Sequence, residues 1–389
     1  MFFSIAKELK DNFTQHYKLG NFVINTDEGW HAYSNGQYSV VYKGYLDSNH
    51  LVLELPNIIN QTEPIFLGNF CAIVYNNITG SIKIQSDRYR SFPIYVRDNS
   101  EVTNLIPLDW VVWTDGVLTI GADFKTLEEK FDVIGSIETT PLTVDQAIEL
   151  VNQRLDFKTQ NFIKFINRPI KVFLSGGVDS LLVYSYLQKY TDQFEIVKCN
   201  HVDYDRFWLM NSGIIQRSWA YKQIHHWTQS CVLTSGAPGD EFMLRSPVTT
   251  DLFLKAHGIK ILDLLNDPKW SNCLHFEYFN REKHLDIFAS DAKLDCTTIE
   301  SLYQGLCNIV VNDWQHYHLG NTLTWTPLRD LEIFKILLRV PPNELLNQIM
   351  SSAISIQLIE QNKPGLSKLI SDQKNNHTPM KNLVEFYGM

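Results

Sequence analysis

Ile170-Lys171-Val172-Phe173-Leu174-Ser175-Gly176-Gly177-Val178-Asp179-Ser180 is the stretch on which the reading of this 389-residue chain turns. Ile170, Val172 and Leu174 are apolar in a short β-prone run, and the run stops at Ser175-Gly176-Gly177. Beyond it Leu181, Leu182, Tyr184 and Leu187 recur at roughly helical spacing, so the pattern predicts strand, glycine turn, helix. Two adjacent glycines admit positive φ and let backbone N–H groups approach a ligand closely. A helix that starts just behind them adds the positive end of its dipole, so the turn suits an anion. Ser175 and Ser180 add hydroxyl donors, and Asp179 can hold Mg²⁺ against phosphate oxygens. A pyrophosphate group is the natural guest.

The chain around this stretch is long enough for two domains, and its 44% hydrophobic and 12% aromatic content can fill sizeable cores. A formal charge of −9 argues against a broad nucleic-acid surface. No stretch reaches the length of a membrane span, and acids and amides follow close behind Met1-Phe2-Phe3, against a signal peptide. Cys71, Cys199, Cys231, Cys273, Cys296 and Cys307 are scattered without a Cys-x-x-Cys pair, which reads as buried free thiols in a reducing cytoplasm.

Residues 1–135 are rich in Val, Ile, Tyr, Phe and Trp, broken by turn residues, and predict a β-dominated domain. Trp30-His31-Ala32-Tyr33 leads through Asn35-Gly36 into Tyr38 to Tyr45, a hairpin signal. A second hairpin runs from Phe70 to Tyr75, through Asn76 to Gly80, into Ser81 to Gln85. The pattern changes between residues 100 and 142, with the domain boundary near 125–140. Thr143-Val144-Asp145-Gln146 then reads as a capping box, opening a helix with Val144, Ala147, Ile148, Val151 and Leu155 on one face. That helix is expected beside the strand of the glycine turn. Phe194 to Cys199 reads as the next parallel strand of a right-handed βαβ unit, whose ligand sits at the carboxyl ends of the strands. Just past it, His201 in Asn200 to Asp205 faces a nucleotide or makes an unrelated loop hydrogen bond.

The string Ser175-Gly176-Gly177-Val178-Asp179-Ser180 behind an apolar strand resembles the pyrophosphate loop of the N-type ATP pyrophosphatases, which include asparagine synthetases, GMP and NAD synthetases and the thiouridine synthases. It lacks the Lys-[Ser/Thr] ending of a Walker loop. The resemblance implies cleavage of ATP between the α- and β-phosphates and transfer of AMP. Residues Leu174 to Ser180 would then bind ATP and pyrophosphate. Cys231-Val232-Leu233-Thr234-Ser235-Gly236-Ala237-Pro238-Gly239-Asp240-Glu241 resembles the second loop of asparagine synthetases, in which an aspartate at the place of Asp240 helps hold Mg²⁺. Ser235 and Gly236 would line the pyrophosphate site, and Asp179 with Asp240 would hold the metal. Where the family has Glu-Gly-Ala, this chain has Ala237-Pro238-Gly239, so a carboxylate that lines the acceptor pocket in aspartate-using members is missing.

Two further segments carry the same resemblance. Leu67 to Tyr75 followed by Ser86 to Tyr95 is similar to the glutaminase domain of asparagine synthetases, closest at Arg88-Tyr89 and Pro93-Ile94-Tyr95. Glutaminase chemistry there needs a terminal cysteine whose α-amino group is the base. Position 2 here is Phe2, no cysteine precedes Cys71, and Ser4 is not terminal. The domain is therefore expected to be a degenerate Ntn-hydrolase-like relative without glutamine hydrolysis, as in β-lactam synthetase-like members. Trp325 to Phe334 is similar to a helix start near the acceptor pocket, with proline in the first turn, Asp330 near the positive end of the dipole, and Pro341-Pro342 as the stop. Leu366 to Lys374 matches the place of a phosphate-contacting lysine, which puts Lys374 in a catalytic role beside Asp240, with Lys368 and Lys381 as competitors. Residues 250–320, with Trp270, His275, Phe276, Tyr278 and Phe279, read as core or pocket wall.

The expected architecture is a β-rich Ntn-hydrolase-like domain over 1–135 and an α/β pyrophosphatase domain, a parallel sheet flanked by helices, over 136–389. The expected activity is ATP- and Mg²⁺-dependent adenylation of a small-molecule carboxylate, then amide formation with an amine or ammonia. Ammonia-dependent asparagine formation, adenylation of a nucleobase-type carbonyl, and a non-catalytic nucleotide-binding module remain open beside it.

Overall fold

The structure is a computed structural model and describes residues 3–46, 68–88, 92, 94–97, 101–103, 111–113, 116–129, 135–166, 168–174, 176–198, 231–234, 236, 239–245, 247–260, 263, 267–269, 298–303, 305 and 323–370. In the N-terminal half the described residues form β1 (Phe3–Ala6), β2 (Gln15–Leu19), β3 (Phe22–Thr26), β4 (His31–Ser34), β5 (Tyr38–Leu46) and β6 (Gly68–Asn76). β7 (Ser81–Ser86), β8 (Ile94–Arg97), β9 (Glu101–Thr103), β10 (Val111–Trp113), β11 (Val117–Ile120) and β12 (Thr126–Glu129) follow. They make two antiparallel sheets, in the orders β10-β8-β9-β1-β3-β2 and β12-β11-β7-β6-β5-β4.

Both hairpins read from the sequence are present, for local reasons. At Asn35-Gly36 the Asn35 side chain accepts from Tyr38 N at 2.8 Å while Gly36 takes φ +85°, a conformation that glycine reaches without steric cost. At the second turn Asn76 Oδ1 accepts from the N–H groups of Ile78 and Thr79 at 2.9 and 3.1 Å. The inward faces of the two sheets share one core, with Phe3, Phe22 and Ile24 of the first sheet and Ile73, Ile82 and Ile84 of the second wholly buried.

The C-terminal half opens on α1 (Val144–Phe165), whose capping box is formed as the sequence predicts. Thr143 Oγ1 accepts from Gln146 N at 3.2 Å, and Gln146 Oε1 accepts from Thr143 N at 2.9 Å. There follow β13 (Ile170–Leu174), α2 (Val178–Tyr190), β14 (Phe194–Lys198), β15 (Val232–Thr234), α3 (Gly239–Phe242) and α4 (Pro247–Ala256). The described chain ends with β16 (Leu323–Trp325), α5 (Leu331–Leu338), α6 (Pro342–Ser351), α7 (Ala353–Asn362) and a 3₁₀ turn at Leu366–Leu369. The strands form one parallel sheet in the order β14-β13-β15-β16. From β13 the chain moves one way to β14 and the other way to β15, so the strand order reverses beside β13. Parallel sheets leave a crevice for ligands at the carboxyl ends of the strands at such a reversal.

α2 is buried along its length from Ser180 to Leu187, as expected of a helix with apolar residues on every side. α1 packs on α2 and α5 and reaches the sheet through Phe162, which stacks on Trp325 at 4.1 Å. The start of α5 differs from its sequence expectation. Asp330 is the N-cap and accepts from Glu332 N at 2.8 Å, so Pro327 precedes the helix instead of filling its first turn. Pro342 occupies the first turn of α6.

The two halves meet through specific contacts. Tyr45 lies edge-on to Phe162 at 5.7 Å, and Arg168 Nη2 donates to Gly29 O at 3.0 Å. Beside them Lys43 is wholly buried, donating to Glu28 O at 2.6 Å and 3.5 Å from Asp27. Burial pushes its ammonium down to about 8, against the pull of Asp27.

Candidate functional site

The glycine turn lies at the carboxyl end of β13, and the loop after β15 lies directly beside it. Gly176 takes φ +80°, so the turn needs a glycine there. Gly177 is the N-cap of α2, and a glycine brings no side chain of its own to cap this helix start. The two loops are pressed together at glycines. A Cβ on Gly236 would stand 2.4 Å from both Asp179 C and Ser180 N, and one on Gly239 would stand 2.5 Å from Asp179 Cγ and 2.7 Å from Leu328 Cδ1. At Gly236 the neighbour is fixed backbone, so nothing larger than glycine fits, whereas at Gly239 the Asp179 and Leu328 side chains would have to shift to admit a Cβ.

This approach brings together the two aspartates singled out in the sequence. Asp179 and Asp240 both pair with the Arg245 guanidinium: Nη2 meets Asp179 Oδ1 in a short contact and Asp240 Oδ1 at 3.0 Å. The other end of Arg245 is anchored, with Nη1 donating to Ser352 Oγ at 3.0 Å. Arg245 N also donates to Asp240 O at 2.6 Å, which ties the arginine to the loop it neutralises. Leu244, just before it, takes φ +58°, and Ser352 between α6 and α7 takes φ +58° as well. Strained backbone of this kind persists where surrounding structure over-determines it.

Burial pushes the Asp179 carboxyl well up from its usual range, with Asp240 adding to the push and Arg245 opposing it. Burial and Asp240 push Glu241 up in the same way. Among the described residues the Arg245 guanidinium pairs with Asp179 and Asp240 and lies within electrostatic reach of Glu241. Among the described residues no group of three or more His, Cys, Asp or Glu side chains could hold a metal ion by itself. A pair of aspartates suits a hard cation such as Mg²⁺, whose remaining ligands come from phosphate and water.

The other singled-out residues divide into two groups. Leu174 and Val178 are buried supports of the turn. Ser180 turns its hydroxyl back along α2 and donates to Gly177 O at 2.9 Å. Ser175, Ser235, Ala237, Pro238, His201, Lys374 and Lys381 lie outside the described residues, as do Cys199, Cys273, Cys296 and Cys307. Of the lysines near the C-terminus Lys368 is described, exposed and close to Glu360. Cys71 and Cys231 are buried and outside any disulfide, and burial holds the Cys71 thiol well up.

Sequence reasoning missed Arg245. The one available signal is arithmetic: Asp240-Glu241 is an acidic pair, and Arg245 is the next basic residue in the chain. Asp330 also has a larger role than a helix cap. Its Oδ2 pairs with Arg154 Nε at 2.7 Å and Lys158 Nζ at 3.0 Å, tying α1 to α5. Burial alone would push its carboxyl up, yet Lys158 and Arg154 outweigh burial and hold it well below the usual range.

In the N-terminal half Phe3 and Ser4 lie buried in mid-sheet, and the Ser4 hydroxyl donates to the Glu101 carboxylate in a short contact. Arg88 reaches across to Glu332 of α5 at 3.8 Å.

Comparison of the chain with models of known protein families and with curated proteins finds no match.

Proposed function

We propose that the chain is an ATP-dependent, AMP-forming amide ligase of the asparagine-synthetase-like type, without glutaminase activity. The observation that carries this reading is the pairing of loops after β13 and β15, where the start of α2 and two aspartates converge because the loops meet at Gly236 and Gly239. A glycine turn opening a helix holds phosphate oxygens, and the aspartates fit Mg²⁺ delivered with a triphosphate. Mg²⁺ held by Asp179 and Asp240 would supply charge neutralisation to the pyrophosphate leaving group.

In this reading Gly176, Gly177 and Val178 hold the β- and γ-phosphates with their backbone N–H groups. The carboxylate of a small-molecule substrate attacks the α-phosphorus, the bond to the bridging oxygen breaks, and pyrophosphate leaves. An amine or ammonia then attacks the acyl carbon, AMP departs with the bonding pair, and the amine proton passes to solvent. Alignment of triphosphate and carboxylate supplies proximity, and Lys374 is the proposed cation at the α-phosphate. The reading without glutaminase activity is supported by the Ser4 hydroxyl, which is buried and committed to the Glu101 carboxylate.

The test is pyrophosphate and AMP release from Mg-ATP with pooled carboxylates and amines, with Asp179→Asn as the blank. Equal amounts of both products, lost in the blank, are expected. Release of ADP and phosphate, or ATP binding without turnover under every pool, would overturn the ligase reading.

A further inference from the structure

Arg168 reaches from the segment that enters β13 to the chain around Gly29 in the N-terminal sheets. Its Nη2 donates to Gly29 O at 3.0 Å and to His31 Nε2 at 3.3 Å, while Nη1 is buried without a hydrogen-bond partner among the described residues. A guanidinium has only donors, so His31 accepts this bond only as a neutral imidazole with Nε2 unprotonated. Lys43 crowds the same place, since a Cβ on Gly29 would stand 3.4 Å from Lys43 Nζ and 3.5 Å from Arg168 Nη2. The carboxylates that face this cluster are Asp27, 3.5 Å from the Lys43 ammonium, and Glu28. On the remaining sides the Tyr42 ring packs on the imidazole at 5.4 Å with Tyr33 edge-on behind it, and the Cys231 thiol lies within electrostatic reach of Arg168. A proton on His31 would remove the lone pair that Arg168 uses and set a third cation beside Arg168 and Lys43. Burial, Arg168 and Lys43 all hold the imidazole below its ordinary 6.5. The side chain is exposed, so protons reach it freely.

We infer that His31 is an acid-sensitive latch between the N-terminal sheets and the segment leading into β13: neutral, it holds Arg168, and protonated, it repels Arg168 and Lys43 and loosens the junction. The latch is independent of the ligase reading. Because the folded imidazole takes up its proton less readily than the unfolded chain does, the unfolded state gains as pH falls past 6.5. The contribution of His31 to stability is therefore complete above about pH 6.5 and is lost as pH falls from there through the folded value. Gly29 O keeps one bond to Arg168 in either state, so acid loosens this junction without releasing it.

The experiment titrates the full chain, labelled with ¹³C at histidine Cε1, by nuclear magnetic resonance, with the His31 signal assigned by its disappearance in His31→Gln. Wild-type His31 should titrate below 6.5. Arg168→Met should raise its proton affinity about twofold or more, the scale of one partly exposed charge partner. Urea midpoints at pH 7.5 and 5.0 then read the latch itself. Wild type should lose more of its midpoint on acidification than His31→Gln, whose amide oxygen keeps an acceptor for Arg168 and does not titrate. The other titrating groups are common to both proteins and cancel in the difference. A histidine that merely packs on Tyr42 would lower the midpoint of His31→Gln equally at both pH values, which would overturn the inference. A His31 signal whose titration ignores Arg168→Met would overturn it as well. Should Arg168→Met fail to fold by circular dichroism, wild type against His31→Gln decides alone.

Discussion

Gly236 and Gly176 are both glycines of the candidate site, yet they are constrained for different reasons. Gly236 has no room, since a Cβ would enter the Asp179–Ser180 backbone at 2.4 Å. Gly176 has the wrong handedness for a side chain, with φ +80°. Gly236→Ala should therefore separate the loops, abolish the proposed pyrophosphate release and cost about 1–3 kcal/mol of stability by overpacking. Gly176→Ala should cost about 1–2 kcal/mol, the penalty of left-handed backbone. Urea midpoints and product release check both. Lys43 gives the residue scale its pH dependence. Its folded pKa, about 8, lies below the usual lysine value, so the unfolded chain binds the proton more tightly between pH 8 and 10.5. Its contribution to stability thus rises with pH through that window. The stability of wild type minus that of Lys43→Met, from urea titrations at pH 7.5 and 9.5, should grow in favour of wild type as pH rises. A flat difference would refute a depressed lysine.

At the scale of elements, the turns, caps and glycine loop were legible in the sequence, and the ties between distant elements were not. Thr143 caps α1 and Asn76 closes its hairpin through partners two or three residues away, which spacing alone reveals. Arg245 meets Asp179 across 66 residues and Ser352 across 107, and no local periodicity encodes such a contact. The same holds for Asp330, whose capping role was readable but whose partners Arg154 and Lys158 stand on α1. Removing one partner of a buried ion network leaves the others unpaired. Asp330→Ala should therefore cost about 3–5 kcal/mol and loosen α5 from α1. Because the folded carboxyl lies below its unfolded value, its contribution is present above about pH 4 and is lost as pH falls through the folded value. Acid unfolding of Asp330→Ala against wild type should show the gap between them narrowing below pH 4.

At the scale of the whole molecule, one continuous core runs from the N-terminal sheets through α1 to the parallel sheet. Phe162 sits at the crossing, stacked on Trp325 and edge-on to Tyr45. Phe162→Ala should cost about 3–5 kcal/mol and lower a single calorimetric transition as a unit. Two resolved transitions, one of them unmoved, would mean that the halves melt independently. Composition led to an expectation of two domains, and it carried no information on the contacts between the N- and C-terminal parts, because Arg168, Lys43 and Gly29 come from separate stretches of chain.

The placement of β13 between β14 and β15 sets a timetable for the chain as it leaves the ribosome. Most hairpins of the N-terminal sheets are closed by neighbours in sequence and can form early. β13 acquires β14 quickly but keeps its other edge open until residues 232–234 emerge, and β15 in turn waits for residues 323–325. Parallel pairings between distant segments are slow to form and expose apolar edges while they wait. Slower synthesis at low temperature, or a chaperone that shields the nascent sheet, should therefore raise the soluble yield of this protein more than any change within the N-terminal half.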